Sequence, residues 1–229
     1  MNPGQYATCL DEVWRILKEV NLERSRNSYP QHPEHPRSNF KGASYLRIYQ
    51  VCVENGYYHF QLINNSLLEF RIDSFQPLVA SYIFYECPYQ IVPFDEFLTR
   101  IIFDPSDLED LGVLYEMYEE EYLSTISRDL KKIVCPIRYD YNESFYTPGV
   151  HPVSHMHIGI NNDIRISLRR VMTPITFTLF IIRQCFPDKW KLIHNSQQIE
   201  GWCRHVRENL EAVNEDYWHP QDERELYLF

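Results

Sequence analysis

The sequence predicts one α+β domain over residues 1–229, in which a mainly antiparallel sheet is covered by about four helices. Segments with an apolar residue at every second position are separated from segments whose apolar residues recur every three or four positions, the periods of strands and helices. Within the strand-like groups, the gaps are too short for the crossovers of a parallel sheet. A chain of 229 residues that is 44% hydrophobic can also bury a sizeable core.

The N-terminal half is predicted to contain one helix followed by a strand meander. Residues 6–22 carry an apolar stripe at helical spacing. After a Pro-, Ser- and Asn-rich loop over 25–42, the period changes to two, and strands are predicted around 44–53, 57–63, 67–72 and 80–87. Asn55-Gly56 lies between the first two strands, and Asn-Gly between alternating segments is typical of a β-hairpin. No reactive groups cluster along this meander, so we interpret it as scaffold.

Three further helices are predicted. The first covers 106–127, begins with the capping box Ser106-x-x-Glu109, and is rich in acidic residues without any Lys or Arg. Its charge indicates a solvated face and, as the alternative, a surface for a protein partner. The others cover 174–186, which is almost wholly apolar, and 195–214, which is amphipathic. The tail, 225–229, is predicted to be a final strand or a docking segment.

Residues 151–159 are the most informative segment, because they read His-Pro-Val-Ser-His-Met-His-Ile-Gly. In a strand, alternation places His151, His155 and His157 on one face together with Val153. Imidazole ligates metals, transfers protons near neutral pH and contacts phosphate. This strand is therefore the predicted centre of a functional site.

Two flanking segments, 133–142 and 163–168, have the same two-sided pattern and predict neighbouring strands. If the three strands pair, one sheet face carries His, Arg and Asp side chains, the types used in sites, although an ordinary solvated sheet face is the alternative. The opposite face would pack on helix 174–186, whose N-terminus follows Arg170 and would attract an anion if it points the same way. The predicted members of the functional face are Arg138, Asp140, His151, His155, His157, Asp163 and Arg165.

The charge distribution favours an anionic ligand at this face. The net charge of −10 argues against nucleic-acid binding by the whole surface. Residues 131–191, however, contain nine Lys/Arg and four Asp/Glu, a local charge of +5, while the remainder carries −15. We therefore predict that a nucleic acid or nucleotide binds in the basic region 131–191.

Three chemistries suit this set of side chains, and the sequence leaves all three open. His155 and His157 on one strand can chelate a divalent metal ion (zinc, manganese or iron), with Asp140, His151 or Asp163 as a further ligand. Without a metal, two histidines can act as base and acid in phosphodiester cleavage while Arg138 or Arg165 stabilises charge. In the third, His and Arg hold an anion or an acidic partner and no reaction follows.

The remaining composition favours a protein of the reducing cytoplasm. Six cysteines are scattered without a Cys-x-x-Cys pair, and Met1–Gln5 is followed by an amphipathic segment rather than by a signal peptide. The longest apolar run, from Ile175 to Ile182, is too short to cross a bilayer. No membrane partner is predicted.

The motif residues resemble a family of bacterial proteins of unknown function. The resemblance is carried by Arg138-Tyr139-Asp140-Tyr141, by His151-Pro-x-x-His155-x-His157-Ile-Gly159, and by Arg165 and Thr173-Pro174. Such families are often encoded near restriction or phage-defence genes, so the resemblance implies a nuclease, a toxin component or a partner of one. It implies no particular mechanism.

The leading hypothesis is a metal-assisted hydrolase of the nuclease or phosphodiesterase type in a prokaryotic defence or toxin-like system. Its predicted metal ligands or acid–base residues are His151, His155, His157 and Asp140. Its predicted anion contacts are Arg138, Arg165 and Arg170. The alternative is a non-enzymatic binding subunit of a defence or toxin–antitoxin-like complex. That subunit would use the same face for an anion or a partner, and helix 106–127 for a protein.

Overall fold

The computed structural model describes residues 1–31, 42–90, 94–101, 111–118, 129–161, 164–194, 196–224 and 227–228. In these residues eight strands form one sheet, and their order across the sheet follows their order along the chain. They are β1 (Glu23–Arg26), β2 (Phe60–Leu62), β3 (Leu67–Phe75), β4 (Leu78–Tyr85), β5 (Ile137–Asn142), β6 (Ser154–Ile158), β7 (Ile164–Leu168) and β8 (Tyr227–Leu228). Neighbours pair antiparallel except β8, which runs parallel to β7.

Seven α-helices of the described residues accompany the sheet. They are α1 (Pro3–Glu19), α2 (Tyr45–Asn55), α3 (Phe94–Ile101), α4 (Leu111–Tyr118), α5 (Pro174–Cys185), α6 (Pro187–Ile193) and α7 (Gln197–Asn209). The predicted α+β fold around a mainly antiparallel sheet is confirmed. The helices are more numerous than predicted, mainly because short ones such as α6 lack the two full turns that make an apolar stripe visible.

The chain divides into two compact units. One comprises residues 1–86 and 135–229 and contains all eight strands. The other comprises residues 87–134 and contains α3 and α4, where the Phe97 ring packs 5.2 Å from that of Tyr118. The predicted extent of one domain over 1–229 stays a prediction. Within the described ranges, no helix combines the length and the apolar character needed to span a bilayer.

One face of the sheet packs against α1 and α5 and forms the main core. Helix α5 begins after Thr173, whose hydroxyl oxygen caps the helix by accepting a backbone N–H. Phe177 on this helix is fully buried, and its ring lies 6.1 Å from that of Phe70 and 6.0 Å from that of Tyr82. The apolar residues of the alternating strands therefore lie beneath helices, as predicted for helix 174–186, and the polar residues point to the other face.

Residues 44–53, predicted as a strand, instead belong mostly to helix α2. Ser44 caps its N-terminus, and the residues buried on one side of the helix are Tyr45, Tyr49 and Cys52. Gly56 follows with φ of 66°, in the left-handed region. The prediction of a hairpin at Asn55-Gly56 is therefore wrong, because the positive φ that suits a hairpin turn also suits the end of a helix.

Most other predicted elements are present with shifted ends. The structure confirms helices within 6–22, 174–186 and 195–214 and strands within 57–63, 67–72, 80–87, 133–142, 151–159 and 163–168. Of the acidic helix predicted over 106–127, only α4 is described, and the capping box at Ser106 and Glu109 lies outside the described residues. The predicted final strand is β8.

Phe177→Ala is expected to lower the free energy of unfolding by about 3–5 kcal/mol, because it removes a buried ring between α5 and the sheet and leaves a cavity. Urea denaturation followed by circular dichroism measures the change. Tyr29→Ala is the control, because Tyr29 is 85% exposed, and it should stay within about 0.5 kcal/mol of the wild type. Equal losses in the two variants would contradict the placement of Phe177 in the core.

Candidate functional site

Antiparallel pairing arranges residues of β3 to β7 in two rows across the second face of the sheet. Each row passes through directly opposed residues of the five strands. The first row is Arg71, Ser81, Asp140, His155 and Ser167, and the second is Glu69, Ile83, Arg138, His157 and Arg165. Because side chains alternate along each strand, both rows lie on the face opposite to α1 and α5.

Apart from Ser167, the residues of these rows form the floor of a cleft with a volume of about 680 Å³. Tyr45, Ile48 and Cys52 of α2 line it beside β3 and β4, and the turn that follows β6 lines it beside β7. A cleft of this size is suited to a small molecule or to part of a polymer.

Asp140 lies in the middle of the cleft floor and is held by two neighbours. Ser81 Oγ donates to Asp140 Oδ1 at 2.8 Å, and Arg138 Nε lies 2.8 Å from Asp140 Oδ2. The Asp140 side chain is only 13% exposed. Burying a carboxylate costs free energy unless hydrogen bonds or opposite charge compensate it. Ser81 supplies a hydrogen bond, and Arg138 supplies the opposite charge.

His155 is oriented by a main-chain carbonyl. Its Nδ1 lies 2.9 Å from the Pro152 oxygen, and because a carbonyl only accepts, Nδ1 carries the proton and Nε2 carries the lone pair. Nε2 faces Asp140 Oδ2 at 3.9 Å. Burial lowers the pKa of His155 to about 3, against the effect of Asp140, which raises it. The ring is therefore neutral near pH 7, which is the state that binds metals.

His157 completes a cluster of three residues. Its Nε2 lies 3.8 Å from the same Asp140 Oδ2, and its ring meets the His155 ring edge to face with centroids 4.8 Å apart. One ligand atom from each of the three residues lies within 4.8 Å of the other two. Two imidazoles and a carboxylate are an established ligand set for zinc and iron, so this cluster can hold a metal ion.

His151 and Arg165 line the cleft beside the cluster. The His151 ring contacts the His155 ring edge to face at 4.9 Å. His151 reaches this position from a loop, because β6 begins only at Ser154, and Val153 is buried in the core rather than beside the histidines. The alternation predicted from His151 onward is therefore wrong before the strand, although His151 itself still joins the site.

Six of the predicted functional residues come together in the cleft: Arg138, Asp140, His151, His155, His157 and Arg165. Arg170 does not, because it is exposed beyond the end of β7 and its Nη1 donates to the Leu210 oxygen at 3.0 Å. Helix α5, which follows it, packs on the opposite face of the sheet, so Arg170 is removed from the predicted anion contacts. Asp163 lies outside the described residues.

Four further polar residues of the cleft come from β3 and β4, the strands that the sequence pattern indicates as scaffold: Glu69, Arg71, Ser81 and Tyr85. Glu69 is 3% exposed, and the Tyr85 hydroxyl donates to Glu69 Oε2 at 3.1 Å. Burial raises the pKa of Tyr85 well above its usual range, so this phenol keeps its proton. The alternation of Glu69 and Arg71 with apolar residues does predict that both lie on the polar face of a strand. It does not predict that β4 pairs with β5, which is the pairing that brings this polar face next to the histidines.

The profile of one protein family, described as an uncharacterized conserved protein (DUF2290), matches residues 16–224. The chain belongs to the DUF2290 family. No curated protein and no solved structure matches the chain. The matched range contains every residue that lines the cleft, from Ala43 to Arg165, so the whole candidate site lies within the DUF2290 region.

The burial of neutral His155 predicts a pH-dependent stability. The folded state has the lower pKa, so between about 6.5 and about 3 the unfolded chain binds a proton at His155 that the folded chain does not bind. The free energy of unfolding should therefore fall as the pH decreases through this range. It is measured by urea denaturation at several pH values.

His155→Gln should reduce this slope, because it removes the titrating group while keeping a donor for the Pro152 oxygen. His194→Gln is the control, because His194 is an exposed histidine whose Nδ1 also contacts a carbonyl oxygen, that of Lys191. An unchanged slope in His155→Gln would show that His155 is already charged, or not buried, in the folded protein.

Proposed function

We propose that this DUF2290 protein is a metal-dependent phosphodiester hydrolase with Asp140, His155 and His157 as its metal ligands. The observation that carries the proposal is the convergence of three ligand atoms, each within 4.8 Å of the others, on the floor of an arginine-lined cleft. The carbonyl that holds His155 Nδ1 adds to it, because metal-binding histidines are commonly oriented in this way.

The spacing of the ligand atoms suits a first-row divalent ion. Ligands about 2.1 Å from a tetrahedral ion are about 3.4 Å apart, and the two Nε2–Oδ2 distances here are 3.8 and 3.9 Å. Asp140, His155 and His157 would hold such an ion with three protein ligands, the number found in catalytic zinc sites, and zinc, manganese and iron all accept this ligand set.

A divalent ion held by Asp140, His155 and His157 would lower the pKa of a bound water and stabilise negative charge in phosphodiester hydrolysis. Phosphate binding and proton transfer would be carried out by side chains of the protein. Arg138 and Arg165 are the neighbours of His157 in the second row, one on each side. Their guanidinium groups bind phosphate oxygens and offset the negative charge that develops in the transition state.

His151 is the proposed proton-transfer residue. It is half-buried, lines the cleft and contacts the His155 ring, yet it is not one of the three ligands. An imidazole in this position can move a proton between the leaving group and solvent. Cys52 also lines the cleft, but burial raises the pKa of its thiol to about 12, so the thiol is protonated near pH 7 and we assign it no role in the reaction.

A non-enzymatic binding subunit is the second candidate, and one contact favours it. Arg138 Nε lies 2.8 Å from Asp140 Oδ2, so the carboxylate already has a positive neighbour of its own. In that case the same face holds an anion or the acidic segment of a partner, and no turnover follows. The two candidates differ in metal content and in turnover.

The setting that we propose is a prokaryotic defence or toxin-like system in the cytoplasm. Its support is the resemblance of the motif residues to families that are often encoded near such genes. The acidic segment 106–127 is the proposed contact for a protein partner. In its described part, Val113 and Met117 are 50% and 44% exposed, and apolar side chains among acidic ones suit a protein interface.

The wild-type protein is expected to contain about one divalent metal ion per chain, and the double variant His155→Ala/His157→Ala is expected to lose it, because two of three ligands are removed. Elemental analysis after gentle purification measures the metal. His194→Ala is the matched control, because its ring is also held by a carbonyl but lies outside the cleft.

The same variants test catalysis on short DNA and RNA oligonucleotides in the presence of the metal that is found. The double variant should lose at least about a hundredfold in cleavage rate, with an unchanged circular dichroism spectrum. Full cleavage by the double variant would contradict the proposal. A wild-type protein that binds oligonucleotides without metal and without cleavage would establish the binding subunit instead.

A further inference from the structure

We infer that Asp222 positions His151 and His155 by holding the loop that joins β5 to β6, residues 143–153. The inference deepens the proposed function and rests on it for the roles of the two histidines in the reaction. Asp222 is not among the residues that line the cleft. It therefore acts on the site through the loop and not on a ligand.

Two parts of the site depend on where this loop lies. His151 belongs to the loop, three residues before β6 begins at Ser154, and its ring meets the His155 ring edge to face at 4.9 Å. Pro152 belongs to the loop as well, and its carbonyl oxygen is 2.9 Å from His155 Nδ1. The loop thus places one imidazole and keeps the proton of the other on Nδ1, which leaves Nε2 to bind a metal ion.

The tip of the loop is a tight turn with hydrogen bonds of its own. The Thr147 N–H donates to the His151 oxygen at 3.0 Å, and the His151 N–H donates to the Thr147 oxygen at 2.8 Å. Gly149 lies between them with φ of 63°, in the left-handed region that favours glycine. Because these bonds close the turn on itself, they set its shape but not its position beside the sheet.

Asp222 supplies contacts that fix the position of the turn. It is 3% exposed and lies in the C-terminal segment 214–224. Its Oδ1 accepts from the Gly149 N–H at 2.8 Å, and its Oδ2 accepts from the Tyr146 hydroxyl at 2.6 Å. Oδ2 also accepts from the N–H of His219, in its own segment, at 2.8 Å. One buried carboxylate therefore joins two residues of the loop to segment 214–224.

The hydrogen bonds to Asp222 keep it charged. Burial acts to raise the pKa of the carboxyl group, but the hydrogen bonds from Tyr146, Gly149 and His219 lower it, and the pKa lies below its usual range. Hydrogen bonds to an ionised carboxylate are about twice as strong as those between neutral groups. Asp222 therefore holds the loop more firmly near pH 7 than a neutral side chain would.

Packing and a link to the sheet support the same role. A Cβ atom at Gly149 would come within 3.2 Å of Gln221 Cβ, so the turn and segment 214–224 are in close contact. The Val213 N–H, just before the segment, donates to the Arg169 oxygen at 2.9 Å. The contacts thus run from the end of β7 through Asp222 to the loop.

The test is Asp222→Ala in the 229-residue chain, read first by the nitrogen chemical shifts of the histidine rings in the presence of a chelator. The wild type should show His155 with its proton on Nδ1. In the variant the loop is released and the Pro152 oxygen withdraws. The proton should then shift to Nε2, because Asp140 Oδ2, 3.9 Å from Nε2, is an acceptor as well.

Zinc affinity, measured by isothermal titration calorimetry, is the second readout. A proton on His155 Nε2 blocks the atom that would bind the ion. Asp222→Ala should therefore bind zinc at least about tenfold more weakly, the loss typical of removing a group that orients a metal ligand. A merely structural role would lower the unfolding temperature but leave the His155 tautomer and the zinc affinity of the folded protein unchanged.

Tyr146→Phe keeps the inference testable if Asp222→Ala does not fold. It removes one donor to Asp222 and leaves the ring against that of Tyr217 at 5.8 Å, so the same changes should appear at a smaller size. Glu215→Ala is the matched control, because Glu215 belongs to the same segment but pairs with Arg169 rather than with the loop. It should keep the wild-type tautomer and zinc affinity.

Unchanged ring signals of His151 and His155 in folded Asp222→Ala, or in Tyr146→Phe where the first variant is unfolded, would overturn the inference. An Asp222→Ala protein that binds zinc and cleaves oligonucleotides as the wild type does would also overturn it, and would leave the proposed hydrolase standing. A wild type that binds no zinc would refute the hydrolase. The ring signals would then still decide whether Asp222 positions the two histidines.

Discussion

The pairing of β5 with β6 sets both faces of the sheet at once. Asp140 stands opposite His155 on the cleft face, and Tyr139 stands opposite Met156 on the core face. A shift of one residue in this register would turn Asp140 into the core and expose Tyr139. The cluster of Asp140, His155 and His157 and the hydrophobic core therefore depend on the same set of interstrand hydrogen bonds.

The core side carries the contacts that hold this register. Tyr139 is fully buried, and its hydroxyl accepts from the Met172 N–H at 3.0 Å and bonds Ser154 Oγ at 3.1 Å, which joins β5 to β6 and to the start of α5. Burial of Asp140 and His155 on the other face costs free energy that their local hydrogen bonds offset only in part. The packed face thus supplies the stability that keeps the charged face in place.

Local sequence patterns predict the strands around the histidines because each has one apolar face, one polar face and short connections. Local sequence patterns fail where the same pattern is compatible with two different secondary structures. Residues 45–55 form α2 because packing over the sheet decides between helix and strand, and Asn55-Gly56 suits either a helix end or a hairpin. They also fail beyond strand ends. Arg170 lies two residues after Leu168, the last residue of β7, where alternation no longer sets the direction of a side chain.

The pairing of β4 with β5 is the element that no local pattern reveals, because Ser81 and Asp140 are 59 residues apart in the chain. It also places Ser81 beside Asp140 on the floor of the cleft. Glu69 and His157 lie three strands apart in one row, about 14 Å at the usual strand spacing. Strands in a sheet cannot slide apart without breaking hydrogen bonds, so this separation does not depend on loops.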